Sequence, residues 1–188
     1  MNRLLLIVDP QIDFISGSLP VEGAAQAMEG LANYLRKTDG LYTYKVVTTD
    51  WHPYSHCSFK EQGGPWPLHC VQDSIGAAIY PSLIEPLFIT KGAYKVLRKG
   101  TNPKAEEYSI FKNQASEGHM KLIVSLKEIE QIDICGIAGD VYVLDTLKDG
   151  IELFGKDMFN VLLPYCASID GGAALTQFTN TNGIRCTY

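Results

Sequence analysis

The chain has 188 residues, 46% of them hydrophobic, and a formal net charge of −5. This length and apolar content predict one domain with a substantial core over residues 1–188. Interspersed acidic and basic residues argue against nucleic acid as a partner, and no apolar run approaches the roughly 18 residues of a membrane span. Five cysteines without paired spacing indicate reduced thiols. We therefore predict a cytoplasmic protein without membrane association, and a homo-oligomer stays open.

Short apolar runs alternate with amphipathic stretches along the chain. In order, the pattern predicts a strand at 4–9, a helix at 24–37, a strand at 44–50, a long loop at 51–86, a strand at 86–92, a helix at 119–129, a strand at 131–138, a helix at 140–155, a strand at 160–165 and a short helix at 171–178. Such alternation predicts an α/β protein with three layers, α/β/α, around a mainly parallel, Rossmann-like sheet.

Candidate functional groups directly follow three of the predicted strands. Asp9 and Asp50 end the strands 4–9 and 44–50, and a glycine-containing turn at 136–142 follows the strand 131–138. Ligands of parallel α/β folds bind beyond the C-terminal ends of the strands. A carboxylate that ends an apolar strand needs a partner when it is buried, although Asp9 by itself also fits a turn or a helix cap.

The long loop carries a set of metal-ligating residue types. Asp50 and His52 are one residue apart after a strand, so an extended backbone would direct both side chains to the same side. A third imidazole from the loop, His69, could complete a carboxylate–imidazole site, and His56 and Glu61 lie in the same segment. Such a mixed set suits Zn²⁺, Fe²⁺ or Mn²⁺. The alternative is that these histidines only bond loop carbonyls.

The turn after the strand 131–138 is suited to binding a developing negative charge. Gly136, Ala138 and Gly139 carry little side-chain bulk, and a helix that begins near Asp140 directs its partial positive charge to the same point. This outline fits an oxyanion hole, but many strand-to-helix junctions carry glycine.

One lysine is a further candidate for the site. Lys99 lies in the segment "VLRKGT". Considered by itself, without other information, it is expected to be an ordinary solvent-exposed lysine.

Five motifs together resemble the isochorismatase-like hydrolases and, within them, the nicotinamidase/pyrazinamidase branch. They span most of the chain in the expected order: "LLIVDPQIDFISGSLPVEGA" (5–24), "TTDWHPYSHCSF" (48–59), "WPLHCVQDSIGA" (66–77), "RKGTNPKAEEYSIF" (98–111) and "CGIAGDVYVLDTLKDG" (135–150). The resemblance implies the isochorismatase-like fold and hydrolysis of an amide such as nicotinamide through a thioester.

The resemblance also implies roles for individual residues. Asp9 would be the acid/base and Lys99 the cation that steadies a thiolate, and the backbone N–H groups of Ala138 and Tyr142 would form the oxyanion hole. The Ile137–Ala138 peptide would be cis. The implied divalent metal, with zinc preferred over iron or manganese, would hold the pyridine nitrogen of the substrate. Its implied ligands are Asp50, His52 and His69, with Glu61 as a further ligand and His56 less well supported.

The resemblance also implies aromatic residues that sandwich the substrate ring. These are Phe14, Trp66 and Tyr108.

The chain departs from the family pattern at the nucleophile. By the resemblance the catalytic cysteine falls at position 142, where this sequence has Tyr142. A thiol has an ordinary pKa near 8.5 and a phenol one near 10, and the phenol ring is bulkier. Cys57, Cys70 and Cys135 do not fall at the helix start, so we expect none of them to substitute.

Three functions are therefore compatible with the sequence. The first is a nicotinamidase-like, metal-dependent amidohydrolase whose turnover is in doubt because of Tyr142. The second is a catalytically impaired protein that binds a pyridine-type small molecule, and the third is another isochorismatase-like hydrolase. The metal motif favours nicotinamidase ancestry over the third function, because isochorismatases work without that motif.

Overall fold

A computed structural model describes all residues, 1–188. It contains six strands: β1 (Asn2–Val8), β2 (Tyr44–Asp50), β3 (Ala93–Lys99), β4 (Ile129–Ile137), β5 (Phe159–Ala167) and β6 (Arg185–Thr187). The α-helices are α1 (Ile12–Ile15), α2 (Ala24–Lys37), α3 (Pro81–Ile89), α4 (Gln114–Leu126), α5 (Leu144–Phe154) and α6 (Ala173–Asn182). Short 3₁₀ turns lie at Lys60–Gln62, Ile75–Ala77, Ile110–Lys112 and Lys156–Met158, and a π-helical turn at Gly139–Val143 precedes α5.

The six strands form one parallel sheet in the order β3-β2-β1-β4-β5-β6. Right-handed crossovers in this order place α2 and α3 on one face and α4, α5 and α6 on the other. Helix α2 packs against α3 and β5, whereas α4 packs against β3 and β4. The predicted α/β/α fold is therefore confirmed. Strand order reverses between β1 and β4, and such a switch point is where ligands bind in open α/β sheets.

The central strand β1 is buried on both faces. Its residues Leu4, Leu5, Leu6, Ile7 and Val8 are all 0% exposed, which explains their continuous apolar run without alternation. Gly136 of β4 lies so close to β1 that a Cβ atom there would be 2.1 Å from the carbonyl oxygen of Val8. A side chain at this position would push apart the two strands that carry the site.

The predicted strand at 86–92 is wrong. Residues 86–89 belong to helix α3, and the strand begins only at Ala93, after Gly92. Pro81 occupies the first turn of α3, where a missing N–H group is tolerated. Leu83, Pro86 and Leu87 are then buried together at helical spacing, so the apolar run is one face of a helix.

Several other element boundaries differ from the predicted ones. Helix α4 starts before the predicted position 119, because the Asn113 side chain accepts a hydrogen bond from the Ser116 N–H group and caps the helix. The predicted helix 140–155 divides into the π-helical turn and α5. The short edge strand β6 is absent from the sequence prediction. None of the helices is both long enough and apolar enough to span a membrane.

Candidate active site and metal centre

The C-terminal ends of three neighbouring strands bring two carboxylates and one ammonium group together. Asp9 directly follows β1 with φ +46°, and Asp50 and Lys99 are paired residues at the ends of β2 and β3. The Lys99 Nζ atom lies 2.7 Å from Asp9 Oδ2 and 2.5 Å from Asp50 Oδ1. All three residues are at most 1% exposed. Lys99 is therefore a buried cation that pairs with two carboxylates, and not the exposed surface lysine that its residue type suggests.

The pKa values in this cluster follow from burial opposed by charge pairing. Burial raises the pKa of Asp9 to about 6, although Lys99 acts in the opposite direction. Burial also acts to raise the pKa of Asp50, but Lys99 and His52 outweigh it and hold that pKa below its ordinary value. For Lys99, burial favours the neutral amine, yet Asp50 and Asp9 raise its pKa. Near neutral pH the cluster thus holds a cation, an anion and a carboxyl that can exchange a proton.

Asp50, His52 and His69 offer ligand atoms that all lie within 4.8 Å of one another, and all three residues are buried. The His52 Nδ1 atom is 2.9 Å from the Gly100 carbonyl oxygen, and the His69 Nδ1 atom is 2.8 Å from that of Pro67. A carbonyl only accepts, so each Nδ1 atom carries the hydrogen, and in the neutral imidazole the Nε2 atom then keeps a free lone pair. This is the tautomer that a metal-binding histidine needs.

Two buried atoms of this group have no hydrogen-bond partner. The Asp50 Oδ2 and His52 Nε2 atoms are both without one and lie 3.5 Å apart. Buried polar atoms are rarely left unpaired without a reason. A divalent cation would satisfy both atoms, and the carboxylate–imidazole donor set suits Zn²⁺, Fe²⁺ or Mn²⁺. The residues present therefore fit a metal.

The two further ligand candidates lie in different surroundings. Glu61 is exposed in the turn Lys60–Gln62 and is outside the group of close ligand atoms. His56 is buried, but both of its ring nitrogens are engaged, at 2.7 Å from Ser58 Oγ and 3.1 Å from the Ala105 carbonyl oxygen. Burial lowers the pKa of His56 to about 4. A partly buried acid that the sequence reasoning missed, Glu106, forms a second close group with His52 and His56.

The three predicted aromatic residues line one side of the site. The Phe14 and Tyr108 rings both contact the ring of Tyr142, with centroid distances of 5.3 Å and 5.6 Å. The Trp66 Nε1–H group donates a hydrogen bond to the Tyr108 hydroxyl at 3.2 Å. Phe14 also contacts the imidazole of His69, at a centroid distance of 5.5 Å. The aromatic group and the metal-ligand group are thus contiguous.

The turn that carries Tyr142 follows β4 directly. The Ile137–Ala138 peptide is cis, as the resemblance implied. Ala138 is 2% exposed and Tyr142 5%, and the Lys99 Nζ atom lies 4.2 Å from the centroid of the Tyr142 ring. Burial raises the pKa of Tyr142 above its ordinary value, which disfavours a phenolate there. The structure therefore places Tyr142, which the resemblance aligns with the family's nucleophile, beside Lys99 in its neutral form.

Three polar residues that hold the site in place were missed by the sequence reasoning. The Gln11 side chain donates to the Asp50 carbonyl at 2.8 Å and accepts from the Asp50 N–H group at 2.7 Å. The Thr48 hydroxyl donates to Asp9 Oδ1 at 2.7 Å. The Asp13 carboxylate accepts from the Cys70 N–H group at 2.7 Å, next to His69. For Gln11 and Asp13 the available signal was an amide and an acid within four residues of Asp9, whereas Thr48 carries no such signal.

Asp13 joins the two segments that carry Phe14 and His69. Cβ atoms at Gly17 and Gly76 would lie 2.3 Å and 2.0 Å from the Asp13 carboxylate oxygens, so both glycines leave room for this side chain. Cys70, which donates to it, has φ +47°, an uncommon conformation for a residue with a side chain. Asp13 therefore fixes the backbone next to a metal-ligand candidate.

The fold and the site together define an α/β/α hydrolase-type protein with a buried aspartate–lysine pair beside a candidate metal centre. No family model matches the chain. Nicotinamidase of Escherichia coli (strain K12) is 31% identical, over 89% of this chain and 84% of that protein. Among solved structures, pyrazinamidase of Pyrococcus horikoshii in complex with zinc has a TM-score of 0.82 at 28% identity, covering 100% of this chain and 99% of that one.

A third comparison agrees with these two. PnC1 from L. infantum in complex with nicotinate has a TM-score of 0.83 at 32% identity, covering 99% of this chain and 92% of that one. The chain belongs to the nicotinamidase family. The family and the fold that the five motifs predicted are thereby confirmed. The function of this chain is nicotinamidase-like.

Proposed function

We propose that this chain carries a nicotinamidase-type site for a divalent metal, preferably zinc, and for a small aromatic amide such as nicotinamide. We further propose that the unmodified chain hydrolyses this amide slowly or not at all, because Tyr142 stands where the nucleophile acts. The observation that carries the proposal is the group formed by Asp50, His52 and His69 beside the Asp9–Lys99 pair. The zinc and nicotinate complexes of the relatives support these ligands.

Each residue has a role that follows from its surroundings. Asp50, His52 and His69 would hold the metal, which supplies a positive charge and an anchor for the ring nitrogen of the substrate. Asp9, with a pKa of about 6, can accept a proton near neutral pH and return it to a leaving amine. Lys99 places a positive charge beside position 142, where it favours an anionic nucleophile.

Tyr142 does not meet the requirements of this chemistry. A nucleophile beside a cation works through a lowered pKa, whereas burial raises the pKa of Tyr142. The ring is also packed between Phe14 and Tyr108, which fixes it on the Lys99 ammonium. Attack by a Tyr142 phenolate, with formation of an aryl ester, is therefore disfavoured.

The metal site is tested by metal analysis of protein purified without chelators. We expect one divalent ion per chain, and we expect His69→Ala to lose it, because His69 presents a free Nε2 atom to the group. His119→Ala is the matched control, since this fourth histidine is exposed on α4 and bonds only the Ala115 carbonyl. Protein without stoichiometric metal, or equal loss in both variants, would contradict the site.

Turnover is tested by ammonia release from nicotinamide. We expect little or none from the unmodified chain and a clear gain from Tyr142→Cys, because a thiol beside Lys99 becomes a competent nucleophile. Ammonia release by the unmodified chain at ordinary enzyme rates, of about 1–10³ per second, would refute the proposal that its catalysis is impaired. No gain from Tyr142→Cys would show a second defect.

A second candidate function is a binding protein that holds a pyridine-type molecule without converting it. It is favoured by a metal-ligand group and an aromatic group that stay contiguous in spite of Tyr142. Calorimetric titration of the metal-loaded chain with nicotinate separates it from an impaired enzyme, because only a dedicated binder should bind tightly. We also propose a cytoplasmic location, which the five free cysteines support.

A further inference from the structure

The ring of Tyr142 is surrounded on several sides by groups of the site itself. Phe14 and Tyr108 contact it with centroid distances of 5.3 Å and 5.6 Å at interplanar angles of 50° and 61°. The Lys99 ammonium lies 4.2 Å from its centroid, within the range of a cation–π contact. We call the space between Phe14, Tyr108 and Lys99 the aromatic slot. In this chain a covalently attached six-membered ring already fills it.

Little free volume remains beside that ring. A wholly apolar cavity bounded by Phe14, Trp66, Ala138 and Tyr142, among others, measures about 10 Å³. This is the room of about one water molecule, whereas a buried cavity that takes up benzene measures roughly 150 Å³. Because the phenol ring itself lies against Phe14, Tyr108 and Lys99 and the small cavity beside it offers no alternative space, a planar aromatic amide has no place in the aromatic slot while Tyr142 keeps this position.

We propose that the Tyr142 side chain is the internal occupant of the aromatic slot, and that it excludes external aromatic molecules from the unmodified chain. Removal of the phenol ring turns the slot into a binding site for one six-membered aromatic ring with a small polar substituent. The identity of the ring that the vacated slot would take rests on the proposed function, but the occupancy rests on the packing of Tyr142. Tyr142 is thus the residue that determines what this site can admit.

The chemistry of the slot explains which molecules would replace the phenol. Its walls are the aromatic rings of Phe14 and Tyr108, and Lys99 presents a cation to the face of the bound ring. p-Cresol is the phenol that Tyr142→Ala excises plus one methyl group, and it has no pyridine nitrogen, so it reports on the vacated volume alone. Nicotinamide and nicotinate need the same volume and also an anchor at the Asp50, His52 and His69 group.

The test is a calorimetric titration of three metal-loaded proteins with p-cresol, nicotinamide and nicotinate. We expect Tyr142→Ala to bind p-cresol and at least one of the pyridines at least about ten times more tightly than the unmodified chain does. The matched control is Tyr42→Ala, which removes another buried tyrosine ring, just before β2 at the opposite end of the sheet. It should gain no affinity for the pyridines.

Two results would overturn the occupancy. One is binding of nicotinamide by the unmodified chain as tight as that by Tyr142→Ala, a measurement that does not depend on any variant folding. The other is a folded Tyr142→Ala protein that binds none of the three molecules, with Tyr142→Ser as a second variant.

The same titrations separate this proposal from the proposed function. Binding of p-cresol without either pyridine upholds the occupancy and counts against nicotinamide as the ligand. Hydrolysis of nicotinamide by Tyr142→Cys, together with equal binding by the unmodified chain and Tyr142→Ala, upholds the function and rejects the occupancy.

Discussion

Replacement of Lys99 by methionine tests the charge arrangement at the centre of the site. Methionine keeps the unbranched apolar stem but removes the ammonium that bridges Asp9 and Asp50 at 2.7 Å and 2.5 Å. Both carboxylates then remain in a region where neither is more than 1% exposed. The variant therefore leaves two buried acids without the cation that compensates them.

The expected loss of stability is large. Removal of one partner of a buried ion pair costs about 3–5 kcal/mol, and Lys99 serves two carboxylates, so the upper part of that range applies. A natural domain has about 5–15 kcal/mol of total stability, so Lys99→Met removes a large share of it. Protonation limits the loss, because the pKa of Asp9 is already raised to about 6 and rises further without the cation.

The pH dependence of the loss has a definite sign. In the variant the carboxyl pKa values of the folded state lie above those of the unfolded chain, so the folded state binds protons more tightly. Stability then falls as the pH rises through this window. The deficit of Lys99→Met relative to the unmodified chain should be full above the raised pKa of Asp9 and smaller at pH 5 than at pH 8.

The assay is guanidinium unfolding of chelator-treated protein at both pH values. The control is Lys112→Met, since Lys112 is 61% exposed and forms a 3.1 Å surface ion pair with Asp149, a contact worth about 0–1 kcal/mol. A Lys99→Met loss no larger than that of the control would refute the reasoning. So would a deficit that grows as the pH falls.

Two further predictions concern the neighbours of this cluster. Asp13→Ala should weaken metal binding about 10–100-fold, because the Cys70 N–H group next to His69 loses its acceptor, whereas Asp13→Asn keeps an acceptor and should retain most of the affinity. A competition titration with a chromogenic chelator measures this, and equal losses in the two variants would show that the hydrogen bond does not matter. In Tyr142→Cys, nicotinamide hydrolysis should rise with pH through about 6, as Asp9 loses its proton. A flat profile between pH 5 and 7 would exclude Asp9 as the base.

The layers of the fold could be predicted because the strands β1, β2, β4 and β5 each contain a short run of apolar or β-branched residues. The strand β3 could not, because only one face of it is deeply buried and four of its seven residues are charged or aromatic. The preceding apolar run at 86–89 belongs to helix α3 instead. That error also affects the site, because Lys99 is the last residue of β3. A strand placed at 86–92 leaves Lys99 in a loop.

Burial of Lys99 depends on strand register, which the local sequence does not contain. The pairing of Asp50 with Lys99 at the ends of β2 and β3 sets the two side chains side by side. Only the resemblance to the nicotinamidases singled out Lys99 before the structure was known. Asp9 and Asp50 could be found from the residues alone, since an acid that ends a buried strand is a local pattern.

Among the loop residues, too, some could be assigned to the site from the sequence and others could not. His52 is two residues from Asp50, and the structure places both in one ligand group. Glu61 and Glu106 are both acids in long connections, and sequence spacing does not distinguish them. The structure brings Glu106 next to His52 and leaves Glu61 exposed, because the chain returns to the site only after β3.

Tyr142 combines a local and a non-local feature. Its position at a strand-to-helix turn follows from the sequence around it. The volume that its ring fills is bounded by Phe14 from α1, Tyr108 from the segment after β3, and Lys99 from β3 itself. If position 142 only lacked a thiol, the binding pocket beside it would be intact. On the proposed function, Tyr142 both lacks the thiol and fills the room for the substrate with its ring, and Tyr142→Cys should restore both.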